Sequence, residues 1–334
     1  MTKYSTMGRT AFESPSALSP LSIEGRSLDP QSMALHIAHL HDHYASRPVA
    51  ELQRDITKAA GIDMAGQGQD SALARAGQEI AQTLDTQAAA TPLNKNPYHD
   101  VQHHREVMIN EFVCRQITDK LTGQKSSKED YAAGTTLAAG HDNGHPGGSN
   151  DFPFQFEEMA FKTMKPVLDK HGVSPKNQDK VHIGVLSTDP INKKLLDADP
   201  RYDAQARHDA QILGAADVLG SLAVTIDKAH KATHNFADEL EARGKAPIDS
   251  EKYQSFATHA KLGPPALDAF WQPQREKVTQ GVLRQLKAEE AAKPVAAQAA
   301  TQDAPPPASA RNNSPPASNR TPPSSRKNLP NATM

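Results

Sequence analysis

An imidazole beside a carboxylate, with a second imidazole close behind and glycines on either side, stands in the run Gly140-His141-Asp142-Asn143-Gly144-His145-Pro146-Gly147. Neutral imidazole and carboxylate oxygen together suit a hard-to-borderline divalent cation such as Zn, Mn, Fe or Mg. Adjacent residues can share one ion only where a helix ends and the backbone turns, and Asn143-Gly144 and Pro146-Gly147-Gly148 supply that turn. A second pair stands upstream, in Asn96-Pro97-Tyr98-His99-Asp100-Val101-Gln102-His103-His104. His99 and His103 are one helical turn apart, so both are expected to face one pocket from a helix that Asn96 caps and Pro97 opens. His104, turned about 100° from His103, is expected to face solvent instead.

His103, His141 and Asp142 leave a divalent cation short of a protein ligand. Asp217 is the best donor downstream, because Gln211-Ile212-Leu213-Gly214-Ala215-Ala216-Asp217-Val218-Leu219-Gly220 reads as a buried helix, where an unpaired carboxylate is costly. His208-Asp209 repeats the dipeptide. On the same helix, however, His208 falls nearly opposite Asp217 and Asp209 about 80° from it, so neither is expected at the site. His36, His39 and His43 share a helical face; with no carboxylate partner and no glycine turn, that group reads as core packing beside Leu35, Ile37 and Leu40. His182 reads either as pocket lining or as a core histidine.

Taken in order, these motifs resemble the class I 3′,5′-cyclic nucleotide phosphodiesterases, within the wider HD-domain metal-dependent phosphohydrolases. Tyr98-His99-Asp100-Val101-Gln102-His103 is similar to that family's Tyr-His-Asn-x-x-His element, and His141 through Gly147 to its His-Asp-x-x-His-Pro-Gly element. Ser187-Thr188-Asp189 resembles its Ala-Thr-Asp element, and Asp217 its last metal-binding aspartate. The resemblance implies that His103, His141, Asp142 and Asp217 hold one metal, that Asp142 bridges to a second, and that His99 is the general acid, oriented by Asp100 or another carboxylate. It places His145 among the catalytic residues, with Thr188 and either Glu157 or Glu158 near the second metal and the substrate. The implied cofactors are two divalent ions drawn from Zn, Mg, Mn and Fe. The implied reaction is hydrolysis of a phosphodiester, foremost a 3′,5′-cyclic nucleotide. Paired cations about 3.5–4 Å apart acidify a water and neutralise phosphate charge, while His99 protonates the leaving alkoxide.

Two positions depart from the family pattern: Gly144 stands where the family commonly has Asp, and Asp100 where it has Asn. The family's purine-holding glutamine, in a Gln-x-Gly-Phe-like context, has no matching string, Gln254 and the pair Gln272 and Gln274 being nearest. Two other readings therefore stand beside the first. One is a broader HD-type nucleotide phosphohydrolase; the other is a non-catalytic interaction or effector protein whose metal core is a scaffold.

The remaining chain sets the context. Its 334 residues carry a formal charge of −2, which gives no global pull toward nucleic acid or anionic membrane, so the expected partner is a small phosphodiester or nucleotide. A single cysteine, Cys114, excludes an intramolecular disulfide. Neither a signal-peptide core nor an apolar run of about 18 residues occurs, and the expected setting is the cytoplasm, with leaderless secretion compatible. Residues 1–30 and 288–334 are rich in Ser, Pro, Gly or Ala without periodicity and are expected to be disordered. Proline pairs near Arg311, Arg320 and Arg326 in the tail suit a protein partner. Between the tails, residues 31–287 are rich in Leu, Ala and charged residues, with breakers at Gly123, Gly172 to Pro175, Asp189-Pro190 and Gly263 to Pro265. The predicted fold is an all-α bundle with inward-facing ligands, including one long helix from Ala204 to Phe236.

Overall fold

The computed structural model describes residues 19–90, 96–189 and 191–302. Among them no strand occurs, and the fold is the expected all-α one. In chain order the helices are α1 (Pro30–Tyr44), α2 (Val49–Ala59), α3 (Gln69–Ala90), α4 (Val101–Thr122), α5 (Lys128–Gly140), α6 (Gln155–Lys170), α7 (Pro175–Leu186), a 3-10 turn (Lys193–Ala198), α8 (Ala204–Leu222), α9 (Ile226–Ala242), α10 (Ser250–His259) and α11 (Pro265–Gln302). No single one of these is long and apolar enough to cross a membrane.

Helix α5 is the centre of the bundle. Every residue from Ala132 to Gly140 is buried, which its small side chains permit, and it packs against α3, α4, α7 and α8. Small residues matter at its end: a Cβ on Gly140 would lie 2.5 Å from Met164 Sδ of α6. Because α5 stops there, His141 and Asp142 emerge in the middle of the fold rather than at its surface.

A buried ionic network ties the surrounding helices together. Arg115 of α4 donates to Glu111 Oε1 at 2.7 Å and to Asp209 Oδ1 of α8 at 2.8 Å. Lys180 of α7 closes the network, reaching Asp209 Oδ2 at 3.0 Å and Asp130 Oδ1 of α5 at 2.7 Å. Asp209 is thus turned away from Asp217, as its helical angle indicates, but it is a structural anchor and not a free surface group.

Three expected boundaries move. The expected helix from Ala204 to Phe236 is two helices bent by 100°. Ala223 leaves helical geometry, and Thr225 turns extended so that its hydroxyl accepts the Lys228 N–H at 3.2 Å, starting α9 afresh. At the N-terminal side, Leu21 and Ile23 are fully buried and are stitched to α4 by Gln116, which accepts from Ile23 N and donates to Leu21 O. The core therefore begins before residue 30. At the other end the compact unit reaches Glu290, whose carboxylate accepts from Ser250 N at 2.7 Å and Ser250 Oγ at 2.9 Å. The remaining expected tail segments, 1–18 and 303–334, lie outside the described residues.

Removing the cation from a buried network leaves carboxylates unpaired, which costs far more than replacing the network whole. Arg115→Met should lower the free energy of unfolding by about 3–5 kcal/mol, measured by urea denaturation. Adding Glu111→Leu and Asp209→Leu to it should recover much of that loss.

Candidate metal centre

Four side chains predicted as ligands meet at one point. His103 Nε2 lies 3.0 Å from Asp217 Oδ1 and 3.3 Å from Asp142 Oδ2. His141 Nε2 lies 3.1 Å from Asp142 Oδ2 and 3.7 Å from Asp217 Oδ1. One ligating atom from each fits within 4.8 Å of all the others, so the group could hold a metal ion.

Each ligand is held by bonds that leave its ligating atom free. His141 caps the C-terminus of α5, and its Nδ1–H donates to Ala138 O at 2.9 Å. That bond fixes the tautomer and leaves Nε2 as the acceptor, the usual support for a metal-binding imidazole. Asp142 sits in the turn that follows, closed by Asn143 N to Gly140 O and His145 N to Asp142 O. His103 lies in the first turn of α4, where the Asp100 side chain accepts the N–H groups of Gln102 and His103. Asp217 projects from α8 beside Ala216, whose carbonyl accepts from Asn110 Nδ2 of α4 at 2.8 Å. Asn110 is held in turn by His41 of α1, Nε2 to Oδ1 at 2.9 Å. Burial keeps His41 neutral, its pKa lowered, so it donates that hydrogen and fixes the orientation of the amide.

The electrostatics fit a cation. Burial opposes a charged imidazole, yet the Asp142 and Asp217 carboxylates outweigh it and push His103 up to about 9; His141 moves the same way. Burial likewise opposes the carboxylates, and the two imidazoles overcome it and hold Asp142 and Asp217 below their usual range. Despite this proximity, His103 Nε2 and His141 Nε2 are buried with no aligned hydrogen-bond partner. Two ring nitrogens without an aligned hydrogen bond, facing two carboxylates, are the donor set of a divalent cation site of the zinc type once their protons are displaced, so the residues present fit the ion that their order in sequence implies.

His99 stands next to this cluster, but not on the helix. Asp100 is the N-cap of α4, so His99 precedes the first turn, and Asn96, expected as the cap, instead donates from Nδ2 to His145 O at 2.9 Å. The carboxylate that orients His99 is neither Asp100 nor any residue foreseen from the sequence. It is Glu239 of α9, 2.6 Å from His99 Nδ1, which also accepts the N–H groups of Tyr98, His99 and Gly148. Burial opposes its charge, but the His99 imidazole and these N–H groups lower its pKa to about 2. Gly148 takes φ +77 to present its N–H, and a Cβ there would lie 2.6 Å from Arg243 Cδ. The sequence signal for Glu239 was faint: Thr225 is a good helix N-cap, and restarting a helix there is what turns Glu239 back toward His99.

His145 stacks on His99, ring centroids 3.9 Å apart. Its Nδ1 accepts the Gly147 N–H at 2.9 Å and burial lowers its pKa to about 4, so it is a neutral imidazole with its proton on Nε2. The pair of glutamates is resolved by α6. Glu157 enters the cavity, bonded by Asn150 Nδ2 at 2.8 Å, and burial pushes its pKa up to about 7. Glu158, a residue further round the helix, is turned outward and pairs with His182 Nε2 at 3.1 Å; His182 stacks on Phe161 and also contacts Arg201. Thr188 lines the cavity with its hydroxyl donated to Val185 O. Its neighbour Asp189 is buried and anchors the loop, accepting from Asn150, Phe154, Ile191 and Asn192. His104 is buried beside His141, ring centroids 5.5 Å apart, rather than facing solvent, and its pKa is lowered by burial to about 3. His36, His39 and His43 form no ligand group among the described residues.

Asp142, Asp217 and His99 line a cavity of about 820 Å³, whose walls include Phe236 and Phe256 and whose lining includes Lys194 and Lys252. No protein-family model, curated protein or solved structure matches the chain.

Asp217→Asn keeps the shape of the side chain and removes its charge. Metal content after reconstitution, read by inductively coupled plasma mass spectrometry, should fall sharply at this cluster. Wild-type occupancy in the variant would show that Asp217 is not a ligand.

Proposed function

We propose that the chain is a metal-dependent phosphodiester hydrolase, foremost one acting on a 3′,5′-cyclic nucleotide, as the motif resemblance implies. The observation that carries this reading is the placement of a Glu239-held His99 beside the four-residue cluster on one wall of a nucleotide-sized cavity. Cavities of roughly 300–1,000 Å³ suit small ligands of this kind. Bound divalent ions, two in this reading, would supply an activated water and a counter-charge for the phosphate. His103, His141, Asp142 and Asp217 would hold the first, and Asp142, Glu157, His145 and Thr188, which line the same cavity, would serve the second.

The chain's own residues supply the remaining steps. As an imidazolium His99 gives Nδ1–H to the Glu239 carboxylate, which balances its charge, and passes the proton on Nε2 to the departing alkoxide. Neutral His145 stacks behind that ring and limits its rotation. Phe236 and Phe256 offer apolar surface to a base, and Lys194 and Lys252 offer charge to a phosphate. A second reading, a broader nucleotide phosphohydrolase, is favoured by one observation: among the described residues the cavity lining has no glutamine other than Gln211, and Gln211 is not in the context of a purine-holding residue.

Full-length protein reconstituted with zinc, magnesium or manganese should hydrolyse 3′,5′-cyclic AMP or cyclic GMP faster than 5′-AMP; the reverse preference supports the second reading, and no turnover of either sinks both. His99→Asn should retain its metal and lose on the order of 10²-fold or more in kcat; loss of metal would make His99 a ligand instead. Glu239→Gln puts an amide where a carboxylate received Nδ1–H. It should lower kcat by about 10- to 100-fold with KM and metal content nearly unchanged, and Glu239→Asp should recover part of the rate.

A further inference from the structure

A separate group of ligating atoms lies on α9 and α11. His230 and His234 are one turn apart on α9, and their Nε2 atoms are 3.1 Å from each other. Glu289 of α11 divides its carboxylate between them, Oε1 at 2.8 Å from His230 Nε2 and Oε2 at 3.1 Å from His234 Nε2. Two ring nitrogens and the two oxygens of one carboxylate therefore converge, and one ligating atom from each of the three residues lies within 4.8 Å of the others. Zinc bonds of about 2.0–2.1 Å in tetrahedral geometry set neighbouring donor atoms roughly 3.3 Å apart, and the two imidazole nitrogens, 3.1 Å from each other, stand near that spacing with a carboxylate oxygen beside each.

The backbone favours this convergence. Two turns of α9 separate Ile226 from His234, and two turns of α11 separate Gly281 from Glu289. Gly281 faces Ile226, with no room there for a Cβ, so the helices run side by side and the second contact falls at the histidines. All three side chains are partly exposed, between 22% and 46%, which leaves a route for an ion and space for a water as fourth ligand.

We propose that His230, His234 and Glu289 form a second cation site, selective for zinc or a similar borderline transition ion, that clamps α9 to α11. It uses no residue of the buried cluster and does not depend on the proposed hydrolysis. Imidazole pairs with one carboxylate disfavour magnesium and calcium, which prefer all-oxygen shells.

Full-length protein stripped of metal and dialysed against zinc should bind one zinc fewer per chain as His234→Ala than as wild type. The same deficit should separate Asp217→Asn from Asp217→Asn/His234→Ala, so the result is read whatever the buried cluster holds. Zinc should raise the melting temperature of the wild type more than that of His234→Ala, while the two metal-free proteins melt together. Equal zinc content in wild type, His234→Ala and Glu289→Gln would overturn the proposal.

Discussion

The convergence of two carboxylates on two imidazole nitrogens inside a helical bundle constrains nearly everything around it. Burying such charges is unfavourable unless they are paired and held, and here three helices deliver them. Helix α5 ends so that His141 and Asp142 are presented together, α4 begins so that His103 lies in its first turn, and α8 passes close enough for Asp217 to complete the group. None of these placements tolerates sliding. The bond from Asn110 to the Ala216 carbonyl sets α8 against α4, and His41 of α1 fixes the amide that makes it. The Arg115 network does the same between a point about one and a half turns later on α4 and one about two turns earlier on α8, through Asp209 rather than Asp217.

Much of the cluster was legible because its information is local. His141 and Asp142 need only a helix end and a glycine turn, and both are written in adjacent residues. Asp217 stood out as a carboxylate in an otherwise apolar, small-residue run. What periodicity could not give was what each face meets. The helical angle separated Asp209 from Asp217 correctly, yet said nothing of Arg115 and Lys180 waiting opposite. In α1 the spacing singled out His36, His39 and His43, whereas the fully buried histidine is His41, chosen by the position of Asn110 some 69 residues away. His99 was found by its distance from His103, but the geometry behind that spacing is a capped helix start and not a shared helical face, because Asp100 spends its carboxylate on the backbone of α4.

Glu239 shows the limit of local reading most clearly. Its partner His99 is 140 residues distant, and several acidic residues near it, including Asp238 and Glu241, have equal claim by composition. Only the break between α8 and α9 distinguishes it. In one unbroken helix, Asp217 and Glu239 would be separated by roughly 33 Å at 1.5 Å per residue, too far for one to join His103 and the other to hold the His99 imidazole beside it. The 100° turn at Ala223 to Thr225 folds the second arm back, so that Asp217 meets His103 while Glu239 meets His99. His99 and the four-residue cluster are therefore brought together through a helix cap that belongs to neither, and the hydroxyl of Thr225 contributes to their meeting by ending one direction of chain and starting another.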